Sequence, residues 1–262
     1  MVVLAMTVII TGAFLTSTKV AARQPRSAVS SAVSPDLHRA LAIVLTVFTF
    51  GIAIWVSSTP TSGWLRTVAW SGVVTLAVGA VFGWQTPPLS AKVGVFHALT
   101  AHVFLSLSIA FAVGTSAGWN REPERVDGSS RPLLRPLALA TPPIVLLQIA
   151  LGAAYRHDMT GIMPHMAVAM GVAFLALIGS SVVLQNFPRP ASLRRAAAAL
   201  ISIVLIQVCL GIGAFLMLVL NVAGNLYFVA TTVGHVLFGA STLAASLVMA
   251  MQVWRSILPK QS

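Results

Sequence analysis

Long apolar runs separated by short polar breaks organise this chain. The runs lie at about 1–17, 38–57, 66–84, 93–115, 136–155, 163–186, 196–221 and 226–254. Each approaches the roughly 20 residues, within about 17 to 25, that a helix needs to cross a bilayer. The breaks are polar or conformational. Ser17 to Asp36 is polar and basic, Ser57 to Ser62 carries Ser, Thr and Pro, and Pro87-Pro88 follows Trp84. Asn120 to Arg135 holds acidic residues and four arginines, and Arg156 to Asp158 and Phe187 to Arg195 divide the later runs. Asn221 to Asn225 is the weakest break, because it carries no charge. The alternation of a β-barrel is absent, so helices are the spanning elements. The expected fold is an all-α membrane protein of eight transmembrane helices.

The two halves of the pattern resemble each other, which predicts two pseudo-symmetric four-helix bundles. Residues 1–116 form the N-terminal bundle, 117–135 a cytoplasmic linker and 136–262 the C-terminal bundle. Gly12-Ala13 in span 1 matches Gly152-Ala153 in span 5, and Gly79-Ala80 in span 3 matches Gly213-Ala214 in span 7. Such small residues let helix backbones approach closely. The first span opens at Val2 without a basic flank, so it reads as a helix rather than a signal peptide.

Composition reinforces the partner. The chain is 57% hydrophobic and 8% charged, against the roughly 25% charge of a soluble domain, so lipid is the main environment. The net charge of +11 points to orientation and anchoring, not to nucleic acid, because the basic residues lie between the apolar runs. Arg66, Arg121, Arg125, Arg131, Arg135, Arg189, Arg194, Arg195, Arg255 and Lys260 fall on the side of both termini. Lys19, Arg23, Arg26, Arg39, Lys92 and Arg156 fall on the other. The positive-inside rule therefore places both termini in the cytoplasm. Lone Cys209 excludes an intrachain disulfide, and no Cys-x-x-Cys-His haem-attachment motif occurs.

Histidine carries the candidate chemistry. His38, His97, His165 and His235 each lie near the start of an even-numbered span, and hence on one side of the membrane. An intramembrane imidazole needs a partner, and two on facing helices can hold a porphyrin iron from both sides. The pairs expected are His38 with His97 and His165 with His235, since each interval crosses one hairpin and returns. His102 lies five residues after His97, roughly 140° around the helix, so the two cannot face one iron. It is left to contact the haem edge, donate a proton or cap a carbonyl. His157, in the Arg156-His157-Asp158 loop, is expected to be solvated. Arg39, Lys92 and Arg156 are candidates for haem propionates, with lipid headgroups as the alternative. Trp55, Trp64, Trp70, Trp84 and Trp119 read as an interfacial belt. The few acidic residues lie outside the spans, which argues against a transporter with buried carboxylates.

The segments Gln148 to His157, Gly161 to His165, Gln207 to Gly211 and Gly234 to Ala240, with His38-Arg39 and His97 to Ala101, resemble the haem A synthase family. That resemblance implies two four-helix bundles in a bacterial inner membrane. It implies haem b held by His165 and His235 as a cofactor, and haem O between His38 and His97 as substrate. The reaction implied is oxidation of the haem O C8 methyl to the formyl of haem A. Partners would be an electron donor, haem O synthase or oxidase-assembly proteins, or a second copy of the chain. The family's glutamate three residues before the first histidine is Pro35 here, which leaves Asp36 as the nearest candidate catalytic acid. The outer loop also lacks the family's Gly-rich stretch and cysteine pair. A non-catalytic di-haem b cytochrome or accessory subunit of a respiratory or photosynthetic complex, and a haem-free structural or transport protein, are the alternatives.

Overall fold

A computed structural model describes residues 1–23, 30–84 and 90–258. The Pro87-Pro88 break and the basic residues Arg26 and Lys260 lie outside them. Among the described residues the protein is all-α, 81% helical. Its elements are α1 (Val2–Ala22), α2 (Pro35–Ser58), α3 (Gly63–Gly83), α4 (Ala91–Thr115), the short α5 (Ala117–Asn120), α6 (Leu134–Arg156), α7 (Met163–Asn186), α8 (Ala191–Val219) and α9 (Leu226–Ser256). Among the described residues, eight of these are long and apolar enough to cross a membrane. They match the eight runs, with most ends moved by only a few residues.

Local chemistry sets the ends. The side chains of Ser34, Ser90 and Asn225 accept hydrogen bonds from the N–H groups of Leu37, Val93 and Phe228, satisfying donors in the first turns of α2, α4 and α9. α6 and α8 end in the same motif. Asp158 and Asn221 take left-handed backbone conformations, with φ of 59° and 55°. The following N–H groups, of Met159 and Val222, donate back to the carbonyls of Ala154 and Met217 at 2.8 and 3.0 Å. The uncharged break at Asn221–Asn225 is thus conformational: asparagine tolerates the left-handed turn, and a second asparagine caps the next helix.

Neighbouring spans pack as hairpins, and the halves meet through inner helices. α1 lies against α4 and α9, and α4 against α6 and α9. In each half, therefore, the first and fourth spans face the other half. The outer helices leave large apolar side chains uncovered: Val47, Phe48 and Ile54 on α2, and Met170 and Phe174 on α7. Soluble monomers rarely expose such continuous patches, and a bilayer covers them at no cost.

The 117–135 stretch is docked rather than free. Its Val126–Asp127 strand (β1) pairs in parallel with Ile257–Leu258 (β2) beyond α9. The Arg255 guanidinium stacks on Trp119 at 4.7 Å and donates to the carbonyls of Gly118 and Arg121. Arg135 lies 4.2 Å over Trp254, and Arg131 donates to the Asn186 amide oxygen at 2.8 Å. Trp119, expected in the interfacial belt, is the platform on which Arg255 stacks. A Cβ on Gly128 would stand 2.7 Å from the Leu258 carbonyl and also strike Ile257. Gly128→Ala is therefore expected to cost about 1–3 kcal/mol of local docking energy. Limited trypsin digestion should cut at Arg121 and Arg125 several-fold faster in this variant. Unchanged cleavage would show that the stretch is held by other contacts.

Candidate functional site

Both expected histidine pairs form. The His38 and His97 ring centres are 6.1 Å apart with ring planes at 73°, and those of His165 and His235 are 6.1 Å apart at 81°. The rings converge although their helices begin at different heights: His165 is the third residue of α7, whereas His235 lies in the third turn of α9.

One local arrangement recurs behind every ring. His97 Nδ1–H donates to the Gly79 carbonyl at 3.0 Å, and His235 Nδ1–H to the Gln207 carbonyl at 3.1 Å. His165 Nδ1 lies 3.2 Å from the Gln148 carbonyl. His38 Nδ1 lies 2.8 Å from the Thr11 hydroxyl, which itself donates to the Val8 carbonyl at 2.9 Å. Four residues beyond each of these carbonyls stands a glycine: Gly83, Gly211, Gly152 and Gly12. Residue i+4 sits directly over carbonyl i on a helix, and a side chain there would cover it. Glycine leaves the oxygen reachable from the next helix. A Cβ at these glycines would come within 2.5 Å of His97 Cε1, 2.9 Å of His165 and His235 Cε1, and 3.2 Å of His38 Cε1.

These tethers decide the tautomers. A carbonyl only accepts, so His97 and His235 carry hydrogen on Nδ1. Their Nε2 lone pairs are left free. Metal-binding histidines are characteristically oriented in this way, by a hydrogen bond from the other ring nitrogen.

The other candidates are placed differently. His102 is buried, and its Nδ1–H donates to the Ala98 carbonyl of its own helix at 2.7 Å, apart from the His38–His97 pair. Asp36 is exposed and pairs with Arg39 at 3.4 Å, so neither of these two is brought between the rings. An exposed ion pair of this kind is worth about 0–1 kcal/mol. Lys92 is exposed in the first turn of α4. Arg156 reaches across to the other half, where one terminal nitrogen donates to the Ala13 carbonyl, the Thr16 hydroxyl and the Ser17 hydroxyl. Its neighbours follow it. His157, expected to be solvated, is half-buried with its ring against Gly94 of α4, and Asp158 pairs with Arg23 at 2.5 Å. The loop thus meets the first half through Arg156, His157 and Asp158, although the Asp158 side chain stays exposed.

Sequence reasoning missed two features. The glycines behind the rings were visible only as small residues suited to close packing; their signal was the recurrence of glycine at corresponding places in the odd spans. Gln148 and Gln207, whose side-chain oxygens are buried without a hydrogen-bond partner, were noticed only as parts of motifs.

Among the described residues, no cluster of three or more His, Cys, Asp or Glu side chains is available to hold a bare metal ion. Compared with known proteins, the chain matches no family model and no curated sequence.

Two outcomes follow. Alanine at the four glycines should lower the thermal unfolding midpoint in detergent in the order Gly83, then Gly152 and Gly211, then Gly12. The worst case should cost about 1–3 kcal/mol. Equal and negligible losses would sink the packing argument. His157, outside the spans, is held below its ordinary pKa by burial first, and then by the charges of Arg156 and Lys19. In the unfolded chain it protonates near pH 6.5, whereas in the fold it stays neutral to lower pH. Its contribution therefore turns against the fold as pH falls below about 6.5. The midpoint should drop from pH 7 toward pH 5, and His157→Gln should make that drop shallower.

Proposed function

We propose that this chain is a membrane haem protein of the haem A synthase type, with one haem site between His38 and His97 and a second between His165 and His235. The observation that carries this reading is the 6.1 Å spacing of the rings, present twice. An iron bound by two imidazole nitrogens at about 2.0 Å, with each ring centre about 1.2 Å behind its nitrogen, separates the centres by about 6.4 Å. Two protein ligands are too few for a bare zinc or calcium ion, but suffice where a porphyrin supplies the equatorial donors.

The chain's own groups have clear tasks in this reading. The Gly79, Gln148 and Gln207 carbonyls, and the Thr11 hydroxyl, would fix the rings through Nδ1 and leave Nε2 to bind an iron. The apolar bundle excludes water. His165 and His235 would hold haem b, and His38 and His97 would bracket haem O, whose C8 methyl would be oxidised to the formyl group of haem A, with dioxygen as the oxidant and oxygen source and water as the by-product. Bound haem would supply one-electron redox chemistry. The chain lies in a bacterial inner membrane with both termini in the cytoplasm, its halves forming two related bundles.

One observation favours a second reading, a non-catalytic di-haem b cytochrome or accessory subunit. The sole acid near the first pair in sequence, Asp36, points outward with its side chain 89% exposed. Pro35 stands where the family's glutamate would be.

Purification followed by haem extraction tests both readings. Two haems per chain are expected, with a low-spin bis-histidine spectrum. The near-perpendicular ring planes should make its ferric paramagnetic resonance strongly anisotropic. His165→Ala or His235→Ala should remove one haem, and His38→Ala or His97→Ala the other. Haem A after co-expression with a haem O source would support catalysis; haem b alone would leave the cytochrome reading. A purified chain without a Soret band would overturn both.

A further inference from the structure

His165 differs from its partner His235 in having two groups on its Nδ1 edge. The Gln148 carbonyl lies 3.2 Å from Nδ1, and the Gln148 side-chain nitrogen lies 2.9 Å from the same atom. The orientation of this carboxamide is set by a third contact. Its nitrogen is also 2.9 Å from the His165 carbonyl, which only accepts, so the group pointing there is the NH2. The carboxamide oxygen is correspondingly left buried without a partner.

A neutral imidazole has one ring hydrogen, so the two contacts to Nδ1 exclude each other. With hydrogen on Nδ1, the ring donates to the Gln148 carbonyl and Nε2 keeps a free lone pair. With hydrogen on Nε2, Nδ1 accepts from the Gln148 carboxamide and Nε2 cannot ligate. Both arrangements hold the same number of protons and make one hydrogen bond at Nδ1. The carboxamide nitrogen also lies 3.4 Å from Nε2, so it runs along the ring edge between the two nitrogens. Nothing comparable occurs at His235, where the Gln207 carboxamide nitrogen turns toward Gly239, 3.2 Å from the place a Cβ would occupy.

We propose that Gln148 competes with the iron for His165, which makes His165 the more labile ligand of the second pair. The proposal rests on the haem reading above. Its consequence is that the reduced second site opens on the His165 side, so that a small external ligand can enter there, while His235 stays bound.

Gln148→Leu removes the competing donor and its hydrogen bond to the His165 carbonyl, keeps the Gln148 main-chain carbonyl and also removes the orphaned oxygen. Two measurements decide the matter. In the haem-free protein, nitrogen-15 spectra of labelled histidine should show His165 divided between two tautomers, and Gln148→Leu should convert it to the Nδ1–H form. His235 should be in the Nδ1–H form in both proteins. In the haem-loaded ferrous protein, carbon monoxide should bind the wild type at one haem, and about ten-fold more weakly in Gln148→Leu, the worth of one hydrogen bond. A His165 wholly in the Nδ1–H form in the wild type would overturn the proposal, as would unchanged carbon monoxide affinity in a variant that still binds two haems. A wild type that takes up no haem overturns the function reading, and with it the claim of competition for iron; the tautomer spectra then still report on the Gln148 contact itself.

Discussion

Each imidazole at the paired sites has two nitrogens to satisfy in a bundle with little water, and this constraint shapes everything around it. A polar group left unsatisfied there costs about 1–3 kcal/mol. The chain answers with a carbonyl at one helix position and a glycine four residues later, so that the next helix can lay a histidine over the uncovered oxygen. Once Nδ1 is tethered, ring rotation is restricted and Nε2 is the atom left to act. The odd-numbered spans therefore provide the sockets, and the even-numbered spans provide the rings.

The inner helices link these sockets to each other. α1, α4, α6 and α9 carry the contacts between halves, and the Arg156–Asp158 loop adds a polar clamp. Arg156 bonds the Ala13 carbonyl, one residue beyond the glycine under His38. A residue of the second half thus braces the socket of the first. The opposite end of the molecule is tied by the docked 117–135 stretch, where stacking and hydrogen bonds use arginines that would otherwise only mark orientation. Arginine suits that work because its planar head stacks and donates at once.

Much of this was legible from residues alone. Apolar run length located the eight spans, since a bilayer demands a minimum apolar length whatever the packing. Hairpin parity paired His38 with His97 and His165 with His235. Asn221 was harder, because its break rests on backbone conformation and not on charge. His157 and Arg156 were unreadable for a different reason: a three-residue loop can face solvent, lipid or another helix, and only its tertiary contacts choose. Trp119 likewise looks like any interfacial tryptophan until Arg255, far along the chain, is brought onto its face.

By itself, then, the sequence determined the membrane-spanning helical class, the number of spans and the four histidines that meet in pairs, because these depend on hydropathy and on odd–even order along the chain. Tertiary structure alone decided which carbonyls hold the rings, which nitrogen His97 and His235 present and that Gln148 crowds His165. Those outcomes turn on ångström-scale distances between separate helices, and on the rotation of each helix about its axis. Apolar periodicity leaves that rotation undefined when every face of a span is hydrophobic.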